Sequence, residues 1–345
     1  MKTRLYDLKT EYEEGLNAAA LAIAGGELVG MPTETVYGLA ADAQNEDAVK
    51  NIFAVKGRPQ DNPLIVHIEN AEDLKKIAYE NELSKKLAKA FWPGPLTMVL
   101  KKRPGVIPDV VTCNMDTVAV RLPKSEYARQ LIKRSGKFIA APSANISGRP
   151  SPTAAAHVME DFSGKIPVVL DGGTSDVGVE STVVSVFDEK CVILRPGGIT
   201  REMLLEVCET AEVSSAVLNG LKDGERAQSP GMKYKHYAPK ARVILIEGDS
   251  AEGIANNTLR LYDKYSKEGK TLILCSEELI KSYEGRLYKT MGRTPADFAH
   301  GLFDMLRYSD EIGAKTVLLQ ATDTSGMGLA YMNRALRAAA FTVVK

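Results

Sequence analysis

Cationic and hydroxyl side chains gather in a few segments bounded by Pro and Gly, a pairing of residue types that suits an anionic ligand. Lys56 and Arg58 stand two apart in KGRPQDNPLIVHI, where Gly57 lets the backbone turn and Pro59 stops the preceding helix. Both heads can then face one cavity. The guanidinium offers a planar fork and the ammonium a compact charge, so the pair suits a triphosphate neutralised during transfer. A Lys-x-Arg at a helix end also complements the helix dipole with no ligand at all, so alone it does not decide. Arg121 in VAVRLP and Arg195 in LRPGG end short apolar runs. A guanidinium buried there needs a partner, either a structural carboxylate or a ligand.

Ser143, Asn145, Ser147, Ser151 and Thr153 crowd the loop APSANISGRPSPT, which Pro142, Pro150 and Pro152 stiffen. Hydroxyls and amides on such a loop suit ribose, phosphate or magnesium-bound water, and equally a turn and cap ahead of a helix at Ala154. The same two readings hold for Ser181 and Thr182 in ESTVV. His67, at the polar end of PLIVHI, either contacts substrate or closes a strand. It does not cluster with His157, His236 or His300, and no HExxH is present, so no histidine metal site is expected. Cys113, Cys191, Cys208 and Cys275 form no CxxC pair, which argues against structural zinc and a disulfide framework. Two near-motifs fail on context. KYSKEGKT ends like a phosphate loop but begins with Lys264 and precedes a strand, and GMGLAY has Tyr331 where a dinucleotide fingerprint has its third glycine.

The elements that must hold these loops read as alternating helices and strands. A helix is predicted over 11–26, then the strand ELVGM, a helix over EDAVKNIFAVKGR, the run PLIVHI and a helix from about 71 to 91. VAVRLP, KFIAAPSAN, PVVLDGG, STVVSVF and CVILRPGG follow as short β-branched runs, which predicts a mixed α/β sheet. Periodicity fades over 209–240, a polar, turn-rich stretch read as a linker. Beyond it ARVILIEGD, a helix to about 267, TLILC, a helix through about 312, TVLLQ and a last helix to about 340 predict a small parallel α/β domain. The expected domains are therefore 1–208, the linker 209–240 and 241–345, consistent with a length of 345 residues. Lys plus Arg and Asp plus Glu number 44 each, which argues against nucleic-acid binding through phosphates alone. No run approaches the ~20 apolar residues of a membrane span and the first residues lack a signal-peptide core, so a cytoplasmic location is expected.

Taken together, PTETVYGL, KGRPQDNPLIVHI, FWPGPLT, VAVRLP, APSANISGRPSPT, ESTVV, LRPGG and SPGMKYKHYAP resemble, in order and spacing, the two-domain threonylcarbamoyl-AMP synthases. The resemblance implies a YrdC-like domain with a mixed twisted sheet and a positively charged cavity, a linker, and a smaller C-terminal parallel Rossmann-like α/β domain. It implies threonine contacts at Thr35, His67, Arg121, Ala141 and Ser181, and ATP contacts at Arg58, Asn62, Thr117, Ser143, Asn145, Ser151 and Arg195, with Lys56 near the phosphates. Lys56 and Arg58 would be the catalytic cations and Tyr234, in the linker, part of a lid. The implied reaction joins L-threonine, bicarbonate or carbon dioxide, and ATP with its magnesium, giving an activated intermediate for a downstream tRNA threonylcarbamoyl transferase. Two other functions fit the same domain: an RNA- or tRNA-binding module without chemistry, and a carbamoyl-adenylate-forming enzyme. The balanced charge argues against the first, and missing acylphosphatase and zinc-finger patterns against the second.

Overall fold

A computed structural model describes residues 1–187, 190–219 and 237–345. Contacts divide the described residues into two compact units, Met1–Ser147 with 151–219, and Gly148–Pro150 with 237–345.

The first unit is built on β1 (Arg4–Asp7), β2 (Val29–Met31), β3 (Gly38–Asp42), β4 (Ile65–His67), β5 (Leu96–Lys101), β6 (Thr117–Arg121), β7 (Ile139–Ala140), β8 (Val168–Asp171), β9 (Thr182–Phe187), β10 (Lys190–Arg195) and β11 (Thr210–Val213). They form one sheet in the order β1-β8-β2-β3-β7-β4-β6-β5-β9-β10-β11. The sheet is mixed, with parallel pairs such as β4 with β6 and antiparallel ones such as β5 with β6.

Period-2 alternation decides which face each residue covers. On one face Leu39, Val66, Met98 and Val120 pack with Val49, Ile52 and Phe53 of the helix Glu46–Lys56 and Leu83 and Leu87 of the helix Glu82–Phe91. Ala40 and Ile139 point the other way and meet the helices Tyr12–Ala24 and Glu126–Ser135 through Leu16, Ile23 and Leu131. At the centre of that other face lies a small apolar cluster of Ile65, Val99, Ala119, Val183 and Leu194. The next residues of matching parity are His67, Thr97 and Arg121, so alternation alone carries these three to one side.

The second unit pairs β12 (Arg242–Ile246), β13 (Thr271–Cys275), β14 (Tyr288–Thr290), β15 (Thr316–Gln320) and β16 (Val343–Val344) in the order β14-β13-β15-β12-β16. Every pairing is parallel. Tyr331 explains why the near-fingerprint is not one: its ring is fully buried edge-on against Phe298 and its hydroxyl donates to Gln320 O at 2.5 Å.

Several boundaries differ from the sequence reading. The single helix expected over 71–91 is a 3-10 turn (Ala71–Asp73), a short helix (Leu74–Ile77) and the helix Glu82–Phe91. The break falls where Ala78 bridges to Lys102 and Asn81 starts a new helix with a reciprocal cap to Ser84. β11 lies inside the stretch read as linker, yet it pairs with β10 from Lys190↔Thr210 to Ile193↔Val213. A 3-10 segment (Glu277–Tyr283) and β14 replace the first half of the helix expected to reach 312. Cys191 and Cys208 approach to 3.3 Å as free, buried thiols, a proximity their spacing did not signal. Among the described residues no helix is long and apolar enough to cross a membrane.

Candidate active site

Neighbouring strands set the cationic residues in register. His67 on β4 faces Arg121 on β6, and Arg121 faces Thr97 on β5. Thr97 Oγ1 lies 2.8 Å from Ser181 Oγ, which heads β9. Arg195 then donates through Nη2 to Ser181 Oγ and through Nε to Ser181 O, both at 3.1 Å. Strict alternation would turn Arg195 toward the helix-covered face with Ile193. A register shift between Ile193 and Arg195 re-aims it to the Ser181 side.

Arg121 is held from a second direction by the PTET turn. Its Nη1 donates to Thr35 Oγ1 at 2.8 Å, its Nη2 to Glu34 Oε1 at 2.7 Å and its Nε to Gly94 O at 3.4 Å. Thr33 Oγ1 lies 2.8 Å from Thr35 Oγ1 and donates to Val36 O at 2.6 Å. Burial alone would raise the Glu34 pKa, but the Arg121 guanidinium and backbone N–H groups outweigh it and hold the carboxyl below its usual range. His67 is pushed down to about 3, first by burial and then by the Arg121 charge, so it is a neutral imidazole. Its Nδ1 is buried without a hydrogen-bond partner, as is Asn62 Oδ1. Buried polar atoms normally have partners, and orphans beside a cation mark where a ligand's donors would fit.

Lys56 and Arg58 sit at the end of the helix Glu46–Lys56. Asn45 caps its start, accepting from Asp47 and Ala48, and Gly57 ends it at φ 61°. Gly57 N–H returns to Ala54 O and Arg58 N–H to Phe53 O, a Schellman closure that turns the chain sharply after Lys56. The buried Lys56 Nζ donates to Ser143 O at 2.6 Å and to Asn145 O, and Ser147 N–H returns to Lys56 O at 2.9 Å. The lysine thus fixes the APSAN loop. That loop is also zipped to the PTETVYGL segment, since Leu39 N–H donates to Pro142 O and Ala144 N–H to Tyr37 O. Arg58 folds onto its own loop, donating to Asn62 O at 3.2 Å and Pro63 O at 3.1 Å.

The residues singled out from sequence fall into three groups. Thr35 with Arg121, and Ser181 with Arg195, form two buried bonded pairs on either side of the register row His67–Arg121–Thr97, which Ala141 adjoins through its N–H on Ile65 O at 3.0 Å. Ser143 and Asn145 meet over Lys56, with Ser143 Oγ donating to Asn145 Oδ1 at 2.5 Å. Ser151 donates to Glu180 Oε1 at 2.6 Å, immediately before Ser181. Arg58, Asn62 and Thr117 lie at the opposite end of β4 and β6: Thr117 is four residues from Arg121 on β6, about 13 Å of strand. Tyr234 lies outside the described residues. Sequence reasoning missed Glu34, Thr97 and Glu180 as members. All three stand inside quoted motifs, but nothing in one dimension says which carboxylate meets which cation.

Comparison with known proteins fits this geometry. The family model described as telomere recombination matches residues 21–197, and that described as threonylcarbamoyl-AMP synthase, C-terminal domain, matches 199–340. The chain is 45% identical over 345 residues to threonylcarbamoyl-AMP synthase of Pyrococcus abyssi, covering 99% of each. It is 44% identical over 344 residues to that of Bacillus subtilis, covering 98% of this chain and 96% of the relative. The crystal structure of P. abyssi Sua5 complexed with L-threonine matches with a TM-score of 0.92 at 44% identity, covering 99% of both chains. The chain belongs to the threonylcarbamoyl-AMP synthase family.

Proposed function

We propose that this protein makes threonylcarbamoyl-AMP and pyrophosphate from L-threonine, bicarbonate or carbon dioxide, and ATP, on the sheet face that carries Arg121 and Arg195. The observation that carries this reading is a buried row across three strands: Arg121 on β6 stands in register with Thr97 on β5, whose hydroxyl meets Ser181 Oγ, which in turn accepts from the Arg195 guanidinium of β10. Such a row supplies fixed donors for a carboxylate at one end and a phosphate at the other.

Threonine fits the Arg121 end. The guanidinium and Thr35 take its carboxylate, the neutral His67 accepts from its amine or hydroxyl, and Ser181 closes the subsite. ATP lies between the Arg195 end and the Lys56 loop, with Ser143, Asn145 and Ser151 along it and Arg58, Asn62 and Thr117 at the strand entry. The threonine amine, once deprotonated, adds to carbon dioxide, taken up directly or released from bicarbonate with loss of hydroxide, and an oxygen of the resulting carbamate attacks the α-phosphorus. The bond to pyrophosphate breaks. Lys56, Arg58 and Arg195 position the phosphates and offset charge on the transferring group, and no side chain needs to act as a nucleophile. Magnesium enters as part of the ATP substrate, where the phosphates supply its hard oxygen ligands. The product is a mixed anhydride, suited to immediate use by a tRNA threonylcarbamoyl transferase in the cytoplasm.

The deciding experiment measures pyrophosphate release from ATP with and without L-threonine and bicarbonate, in wild type and Lys56→Ala. Release should require both co-substrates and fall at least a hundredfold in the variant, because the substitution removes both the charge and the anchor of the APSAN loop. Release indifferent to threonine would reject this substrate set.

A further inference from the structure

We infer that Glu34 is a positioning and specificity-determining residue: by pairing one-to-one with Arg121 in the interior, it makes the threonine subsite select a zwitterionic amino acid over a simple anion. The inference rests on the substrate reading above and goes beyond it, since none of the contacts proposed there involves Glu34.

Both partners are 4% exposed and meet at 2.7 Å. The other Glu34 oxygen accepts the Ser125 N–H at 3.3 Å, at the start of the helix Glu126–Ser135, so both carboxylate oxygens are held. The guanidinium has five N–H donors. One on Nη2 goes to Glu34, one on Nη1 to Thr35 Oγ1 and Nε–H to Gly94 O, which fixes its plane. One N–H on each terminal nitrogen is left, enough donors for the two oxygens of a ligand carboxylate.

The charge balance then decides what enters. A lone buried arginine would attract any anion, including the phosphates of ATP and the pyrophosphate product. With Glu34 in place the pair is formally neutral, and a ligand that offers only negative charge meets a carboxylate as well as a guanidinium. An amino acid brings an ammonium group to set against Glu34 and a carboxylate to set against Arg121. Phosphate is left to Arg195 and to the Lys56 and Arg58 end. Discrimination of this kind comes from a built-in repulsion as much as from an attraction.

The test is equilibrium binding by calorimetry of L-threonine and of 3-hydroxybutanoate, the same molecule without its amine, to the full-length protein. Wild type should bind threonine at least tenfold more tightly than the deaminated acid, and Glu34→Gln should shrink that ratio at least tenfold by strengthening the acid relative to threonine. A purely structural role would weaken both ligands together and leave the ratio unchanged, which would overturn the inference. Thermal melting establishes that the variant is folded. Wild type carries an arm of its own should the variant fail to fold: inorganic phosphate should not displace bound threonine, and competition between them would overturn the inference. A wild-type protein that took up no threonine would instead refute the substrate reading, so the two failures are distinguishable.

Discussion

His67 shows how one buried side chain ties the site to the stability of the fold. Its pKa is about 3 in the folded protein and near 6.5 when unfolded. Between those values the unfolded chain binds a proton that the folded protein refuses, so stability falls as pH is lowered through this window, by up to ~1.4 kcal/mol per pH unit. His67→Gln should flatten that slope in urea titrations between pH 7 and pH 4, and an unchanged slope would mean that the imidazole is not kept neutral. Lys56 and Arg121 meet the same constraint differently. Each brings a charge into the interior, and each finds oxygen partners: two loop carbonyls for the ammonium, and Glu34, Thr35 and Gly94 for the guanidinium.

Among the elements, the LRPGG turn after β10 packs tightly against the start of β9. A Cβ on Gly197 would lie 2.4 Å from both Glu180 O and Thr182 N and 2.6 Å from the Ser181 carbonyl carbon. Backbone thus presses on backbone at the residue that receives both Arg195 hydrogen bonds. Gly197→Ala should cost about 3 kcal/mol, the upper range for an overpacked interior, and should weaken threonine and ATP together because Ser181 is displaced from both Thr97 and Arg195. Chemical denaturation and the two KM values check this; loss confined to one substrate would contradict the shared row. The helix Glu46–Lys56 illustrates an element whose ends were legible in one dimension. Asn45 and Gly57 announce its cap and its left-handed stop, and both act as their chemistry dictates.

For the molecule as a whole, 44 basic and 44 acidic residues leave no net charge to hold a polyanion. Gel shifts with bulk tRNA should therefore show no retention at ~0.15 M salt, whereas tight, steeply salt-dependent binding would favour the RNA-binding alternative. The sequence by itself determined the mixed α/β character, the parallel second sheet, the family and the loops that carry the cations, because periodicity, caps and breakers act over a few residues. It could not determine that β11 extends the first sheet or that the stretch from 71 to 91 breaks at Asn81, since strand pairing and a reciprocal cap compete with local pattern. Nor could it reveal the pairing of Glu34 with Arg121, 87 residues apart, or the re-aiming of Arg195 by a register shift. Those depend on which strands lie side by side, and strand order is fixed only when the chain buries both faces of the sheet at once.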